Sequence, residues 1–169
     1  MKYVKKITMR TVGLDTDTLE QTAIANPKKE ISVLRVYGRV SGVVSAQSSF
    51  SDNGEPKFYQ KFTGEFEAIN LLATEISEAK VRSQALILPP DAEYVIQSQL
   101  GAARKADPKS SIEFGLEITV LHHTPPKGGK GYQFKYGVKV LGDNNPVEDS
   151  LTLIGAKFGA VPAVSGKKK

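Results

Sequence analysis

The sequence predicts an all-β fold, a five-stranded barrel with one helix between its third and fourth strands. Three observations lead there. Five segments are rich in β-branched and aromatic residues and alternate apolar with polar side chains, the period of strands with one face on a core. One segment alone, after Pro89-Pro90-Asp91, shows convincing helical spacing. Gly38 and Gly42 fall in register with the apolar face of the first strand, which suits a strand bent sharply enough to serve two sheets of a closed barrel.

Residues 1–30 mix Ile7, Thr8, Thr11 and Val12 with a polar run, Asp15-Thr16-Asp17-Thr18, that can start a short helix through Leu19. They read as an arm packed on the barrel, closed by Asn26-Pro27-Lys28-Lys29. Strand one runs from Ile31 to about Ser45, with Leu34, Val36, Val40 and Val44 on the core face and Arg35, Tyr37 and Arg39 on the other. A polar connection from Gln47 to Glu55, turning at Asp52-Asn53-Gly54, leads to strand two and makes the pair a hairpin. Strand two, Pro56 to Asn70, sends Phe58, Phe62, Phe66 and Ala68 to the core and Lys57, Tyr59 and Lys61 to the opposite face. Glu65 and Glu67 follow on that polar face and repel anions, so an anion contact is expected only along the first half of the strand.

Leu71 to Lys80 is an acidic connection and Val81 to Leu88 is strand three. Proline in a first turn and aspartate near a helix N-terminus make Pro89-Pro90-Asp91 a stop for the strand and a start for the helix. Ala92, Val95, Ile96, Leu100 and Ala103 form its apolar stripe. Ser111 to His122 is strand four, with Ile112, Phe114, Leu116, Ile118 and Val120 inward and Glu113, Gly115, Glu117 and Thr119 toward solvent. Thr124 to Gly131 is a basic, glycine-rich hairpin tip. Strand five, Tyr132 to Leu141, opposes Tyr132, Phe134, Tyr136, Val138 and Val140 to Gln133, Lys135, Gly137 and Lys139. The domain reading is an arm over 1–30, a barrel over 31–141 and an extension over 142–169. A short helix over Leu151 to Phe158 and ten mobile residues at the end are expected in the extension.

Composition narrows the chemistry. The chain has no cysteine, which removes disulfides, thiolate metal sites and cysteine nucleophiles. No apolar run approaches the length of a membrane span and Met1 to Arg10 lacks a signal-peptide core, so a soluble, intracellular protein is expected. The net charge of +5 is unevenly spread. Arg35, Arg39, Lys57 and Lys61 outnumber Asp52 and Glu55 over residues 31–62, whereas Glu65, Glu67, Glu75 and Glu78 outnumber Lys80 over 63–80. His122 and His123, the only histidines, are strand neighbours that point to opposite faces, so no metal site is expected. Gly128-Gly129-Lys130-Gly131 lacks the Walker spacing and a following helix, and no hydrolytic triad is identifiable. The reading is a non-enzyme without cofactors.

Three strands, a helix and two strands is the order of the five-stranded oligonucleotide-binding barrel. The segments Gly38 to Val44, Phe62 to Asn70, Ser83 to Pro90 and Gly128 to Tyr136, in that order and spacing, resemble the replicative single-stranded DNA-binding proteins of some tailed bacteriophages. The resemblance implies a protein that coats exposed single strands during phage replication or recombination in the host cytoplasm, without sequence specificity or catalysis. It also implies replication or recombination proteins as partners. Many such proteins recruit polymerase or helicase through an acidic C-terminal tail; this chain departs from that in ending on three lysines, leaving Glu148-Asp149 to do a weak version of it.

The candidate DNA-binding surface joins cations that track phosphates to rings that stack bases. It comprises Arg35, Tyr37 and Arg39 from strand one, Lys57, Tyr59 and Lys61 from strand two, Arg82 from strand three, and Lys127, Lys130 and Tyr132 from the last hairpin, with Phe50 in the first hairpin loop. Ordinary half-exposed strand tyrosines are the bland alternative for Tyr37 and Tyr59, and core packing beside Phe134 for Tyr132. At the level of function the rivals are a structural or protein-interaction barrel of a phage and an RNA-binding barrel of the cold-shock type.

Overall fold

The structure, a computed structural model, describes residues 2–52, 55–73, 80–125 and 132–142. It is predominantly β: strand β1 (Lys2–Tyr3), helix α1 (Thr16–Ala25), strands β2 (Ile31–Asp52), β3 (Glu55–Asn70) and β4 (Lys80–Leu86), helix α2 (Pro90–Ala106), and strands β5 (Ile112–His122) and β6 (Phe134–Gly142). The five strands read from the sequence are therefore β2 to β6, and α2 stands between the third and fourth of them. They form one sheet in the order β1-β4-β3-β2-β5-β6, antiparallel from β4 through β6, with β1 parallel to β4. The turn at 53–54, the connection 74–79, the hairpin tip 126–131 and everything after 142 lie outside the described residues.

The expected barrel is not closed among the described residues. Closure needs β4 and β6 to meet, and the free edge of β4 is taken by the N-terminal arm. The Val4 N–H donates to Arg82 O at 2.9 Å, Ile7 N–H to Ala85 O at 2.8 Å and Ile87 N–H to Ile7 O at 2.9 Å. The arm thus covers an edge that would otherwise present unpaired donors and acceptors. Ile7, Val12, Leu14, Leu19 and Ala23 lie in the same core cluster as the strands.

The short helix that the sequence allowed to start in the run Asp15-Thr16-Asp17-Thr18 is present as α1. Asp15 accepts from the Thr18 N–H at 2.8 Å as the N-cap of α1, and the helix continues past Leu19 to Ala25. In α2, Pro90 opens the helix, Asp91 and Glu93 lie in its first turn, and Arg104 and Lys105 lie in its last, all in the sense that the helix dipole favours. Both helices bury their apolar sides in one core with Val36, Val40, Phe62, Phe66, Phe114, Leu116, Ile118 and Val120. No helix among the described residues is long and apolar enough to cross a membrane.

The register of β2 decides what faces that core. Over Leu34–Val40 it is paired to β3 on one edge and to β5 on the other. Gly38 lies opposite both Phe66 and Phe114, whose rings meet at 6.1 Å, and a Cβ there would stand 2.6 Å from the Phe66 ring. At Ser41 the register with β3 shifts, and the Arg104 guanidinium caps the Ser41 carbonyl at 2.9 Å. The shift turns Val43 onto the core and leaves Val44, expected inside, 55% exposed. Gly64 lies opposite this bulge with φ +153°, and a Cβ there would stand 2.0 Å from the Arg39 carbonyl oxygen. Beyond it β2 and β3 leave their outer neighbours and run on together as a two-stranded ribbon, where a loop was expected from Gln47.

The second face of β5 also departs from its expected exposure, since Glu117 and Thr119 are buried. Glu30 accepts from the Thr119 hydroxyl at 2.7 Å, and Arg35 from β2 and Lys139 from β6 flank Glu117. At the far end of β6, Val140 is exposed although its alternation places it with the core residues.

Phe62 is fully buried, so Phe62→Ala should lower unfolding free energy by about 3–5 kcal/mol through lost burial and a cavity. Gly64→Ala should also destabilise, because its backbone conformation and the Arg39 carbonyl both resist a Cβ. Guanidinium unfolding of both variants checks this, and wild-type midpoints would contradict the placement of β3.

Candidate nucleic-acid interface

The helices cover one side of the sheet, and on the other side the alternation of β2 presents Arg35, Tyr37 and Arg39. Tyr37 and Arg39 meet β3 and β4 across an open groove of about 840 Å³ that runs from the arm to β5. Tyr37 and Arg39 from β2 and Arg82 from β4 line it, and Tyr3 and Lys5 of the arm border its β4 side. Glu65, Glu67 and Glu113 line it too, so the acidic half of β3 lies within the groove and not beyond it as expected.

Arg35, Arg39, Lys80 and Arg82 each pair with a carboxylate of a neighbouring strand. Arg39 lies opposite Glu113, and its guanidinium contacts that carboxylate at 2.7 Å and the Ser111 hydroxyl at 3.0 Å. The Tyr37 hydroxyl donates to the same Glu113 at 2.5 Å. Glu67 takes the buried Lys80 ammonium at 3.1 Å and the Arg82 guanidinium at 3.7 Å, which offsets its repulsion of anions. Exposure separates two kinds of pair. The Arg39 side chain is 54% exposed, whereas that of Arg35 is 22% exposed and is held by the buried Glu117 at 2.9 Å. An exposed pair contributes about 0–1 kcal/mol, so Arg39 can exchange its partner for a phosphate. Arg35 cannot do so without stranding a buried carboxylate.

The eleven candidate residues therefore divide. Tyr37, Arg39 and Arg82 share the groove. Arg35 is on the same face but belongs to the Glu117 network. Tyr59 and Lys61 are half-buried on the β3 half of the ribbon, opposite Ala46 and Val44, on the strand face that continues from Glu65. Phe50 and Lys57 occupy ribbon positions whose side chains lie outside the described ones, and Lys127 and Lys130 lie outside the described residues. Tyr132 is 57% exposed and stacks on Phe134 at 5.7 Å, which places it with the core-side rings and away from the groove. Tyr3 and Lys5 were not among the candidates. Their signal is the run Lys2-Tyr3-Val4-Lys5-Lys6, a ring between cations as at Lys57 to Lys61.

A single-stranded DNA-binding protein of Enterobacteria phage PRD1 is 32% identical over 163 residues, spanning 96% of this chain and 86% of the relative. The chain belongs to the phage single-stranded DNA-binding proteins. This is a non-enzymatic family, and the match extends well outside residues 31–141 where the motifs lie. No protein-family model matches the chain, and no solved structure does.

The buried pair between β2 and β5 carries a pH signature. Burial works to raise the Glu117 carboxyl, but hydrogen bonds from Ser32 at 2.6 Å and from Arg35, with the charges of Arg35 and Lys139, outweigh it and hold it below the ordinary carboxylate range. A depressed folded value means that ionised Glu117 adds stability above the unfolded value of about 4.3, and that this is lost as pH falls through the folded value. Glu117→Gln should therefore be less stable than wild type at neutral pH and lose less stability on acidification. Urea unfolding at pH 7 and pH 3 measures both, and parallel losses in the two proteins would contradict the role of this pair.

Proposed function

We propose that the chain binds single-stranded DNA without sequence preference, laying the strand across β4, β3 and β2 on the helix-free face and onward along the ribbon. The observation that carries this reading is that Tyr37, Arg39 and Arg82 open on one groove of that face. Arg39 and Arg82 contact phosphates, one of which replaces the exposed carboxylate partner of Arg39, and the Tyr37 ring stacks a base. Tyr59 and Lys61 continue the track, with Lys57 and Phe50 further along the ribbon, and Lys127 and Lys130 are proposed as additional phosphate contacts. Family membership supports the ligand class.

The order β4-β3-β2-β5-β6 supports an oligonucleotide-binding barrel opened at the seam where the arm sits on β4. The groove crosses β3 and β4, the second and third strands of that barrel, where such folds hold their ligand. The role that follows is the coating of single strands during phage replication or recombination in the host cytoplasm.

Fluorescence anisotropy with labelled oligo-dT tests the reading. Affinity should fall with added salt, log K changing by about −0.7 per phosphate neutralised. Arg39→Ala should make that slope shallower by about 0.7, and Tyr37→Ala or Tyr59→Ala should weaken binding by about 1–3 kcal/mol with folding intact. Equal affinity for duplex, or wild-type binding by all three variants, would contradict it.

A further inference from the structure

The groove has a wall that no motif pointed to. The arm adds to the edge of β4 as a parallel strand, with Lys2 in register with Val81 and Tyr3 with Arg82. It is anchored by the fully buried Ile7, which is bonded to β4 and to the residue after it on both its N–H and its C=O. Tyr3 is nevertheless 73% exposed, and among the described residues no other ring packs on it. An amphipathic ring held on a fixed strand and left open to solvent has the form of a stacking platform. Lys5, in the bend that follows β1, lines the same groove.

Charge points the same way. Without the arm the groove lining sets Arg39 and Arg82 against Glu65, Glu67 and Glu113; Lys5 brings the two signs level, and Lys80 behind Glu67 tips the region to positive. The arm thus adds a positive charge to the β4 side of the groove.

We propose that the N-terminal arm is part of the single-strand site, the Tyr3 ring stacking one base and the Lys5 ammonium contacting an adjacent phosphate on the β4 side of the groove. This rests on single-strand binding in the groove. Binding then orders bases from the arm, over Arg82, to Tyr37 and Arg39, so the arm lengthens the strand that one molecule covers.

The test is oligo-dT anisotropy on the full chain with Tyr3→Ala, Tyr3→Phe, Lys5→Ala and Tyr37→Ala, together with photocrosslinking to oligo-dT carrying 5-iodo-deoxyuridine. Tyr3→Ala should weaken binding about 5- to 150-fold, the range of base–aromatic stacking, and Tyr3→Phe should restore it. Lys5→Ala should make the salt slope shallower by about 0.7, and Tyr3 should be a crosslinked residue. Thermal midpoints should match wild type because the Tyr3 ring is exposed. Wild-type affinity of Tyr3→Ala with weakened Tyr37→Ala would overturn the arm's role and leave the groove standing. If both bind as wild type, the groove itself is misplaced. A lowered midpoint with no crosslink to Tyr3 would make the ring structural and overturn the proposal.

Discussion

Strand β2 is hydrogen-bonded along both edges between Leu34 and Val40, and the rest of the architecture depends on that double pairing. With β3 and β5 both in register, the period of two leaves no freedom. Leu34, Val36 and Val40 go to the helices, and Arg35, Tyr37 and Arg39 go to the open face. A slip of one residue would exchange the two sets and bury two guanidinium groups, so the register is strongly specified. Gly38 fits this frame because Phe66 and Phe114, one from each neighbour, fill the space its side chain would have taken. The shift at Ser41 then releases β2 from β5 and lets it run on with β3 as the ribbon, the carbonyl at the bend being met by Arg104 of α2. Helix, bulge and ribbon are in this way one mechanical unit.

Like charges directly opposite one another on adjacent strands repel, and Arg35, Arg39, Lys80 and Arg82 are each held against a carboxylate of a neighbouring strand. The chain answers with two classes of ion pair. Arg35 with Glu117, and Lys80 with Glu67, are shielded from water and tie adjacent strands together. Arg39 with Glu113 is open to water on both sides and weak enough to exchange, and Arg82 reaches the shielded Glu67 from a side chain that is 43% exposed, at 3.7 Å. Glu113 also accepts from the Tyr37 hydroxyl, so one carboxylate holds both the ring and the Arg39 guanidinium. Shielded pairs keep the shape of the face, and open pairs leave their cations accessible to solvent.

Much of this was legible in the sequence, and particular residues show why the rest was not. Alternation of Ile112 to Val120 and of Phe62 to Ala68 marks strands because one face of each is dry, and the stripe from Ala92 to Leu100 marks α2 for the same reason. The ribbon is invisible to that signal: Gln47, Ser48 and Ser49 are polar, since beyond Val43 and Phe62 the two strands have left the sheet whose core would demand apolar side chains. Val44 was placed inside because a bulge shifts phase without changing composition. Glu117 was placed outside because a single strand's pattern cannot show that Arg35 and Lys139 close over it from both sides. The open seam, finally, follows from a partnership between residues 2–7 and β4 across some eighty positions, a contact that no local period encodes.

Backbone chemical-shift mapping during titration with oligo-dT is the most direct measurement of where the strand lies. The largest changes should fall on residues 37–41, 63–67 and 82–84, with the arm joining them and both helices left still. Changes concentrated on α1 and α2, with the groove residues unmoved, would contradict the assignment of the binding face.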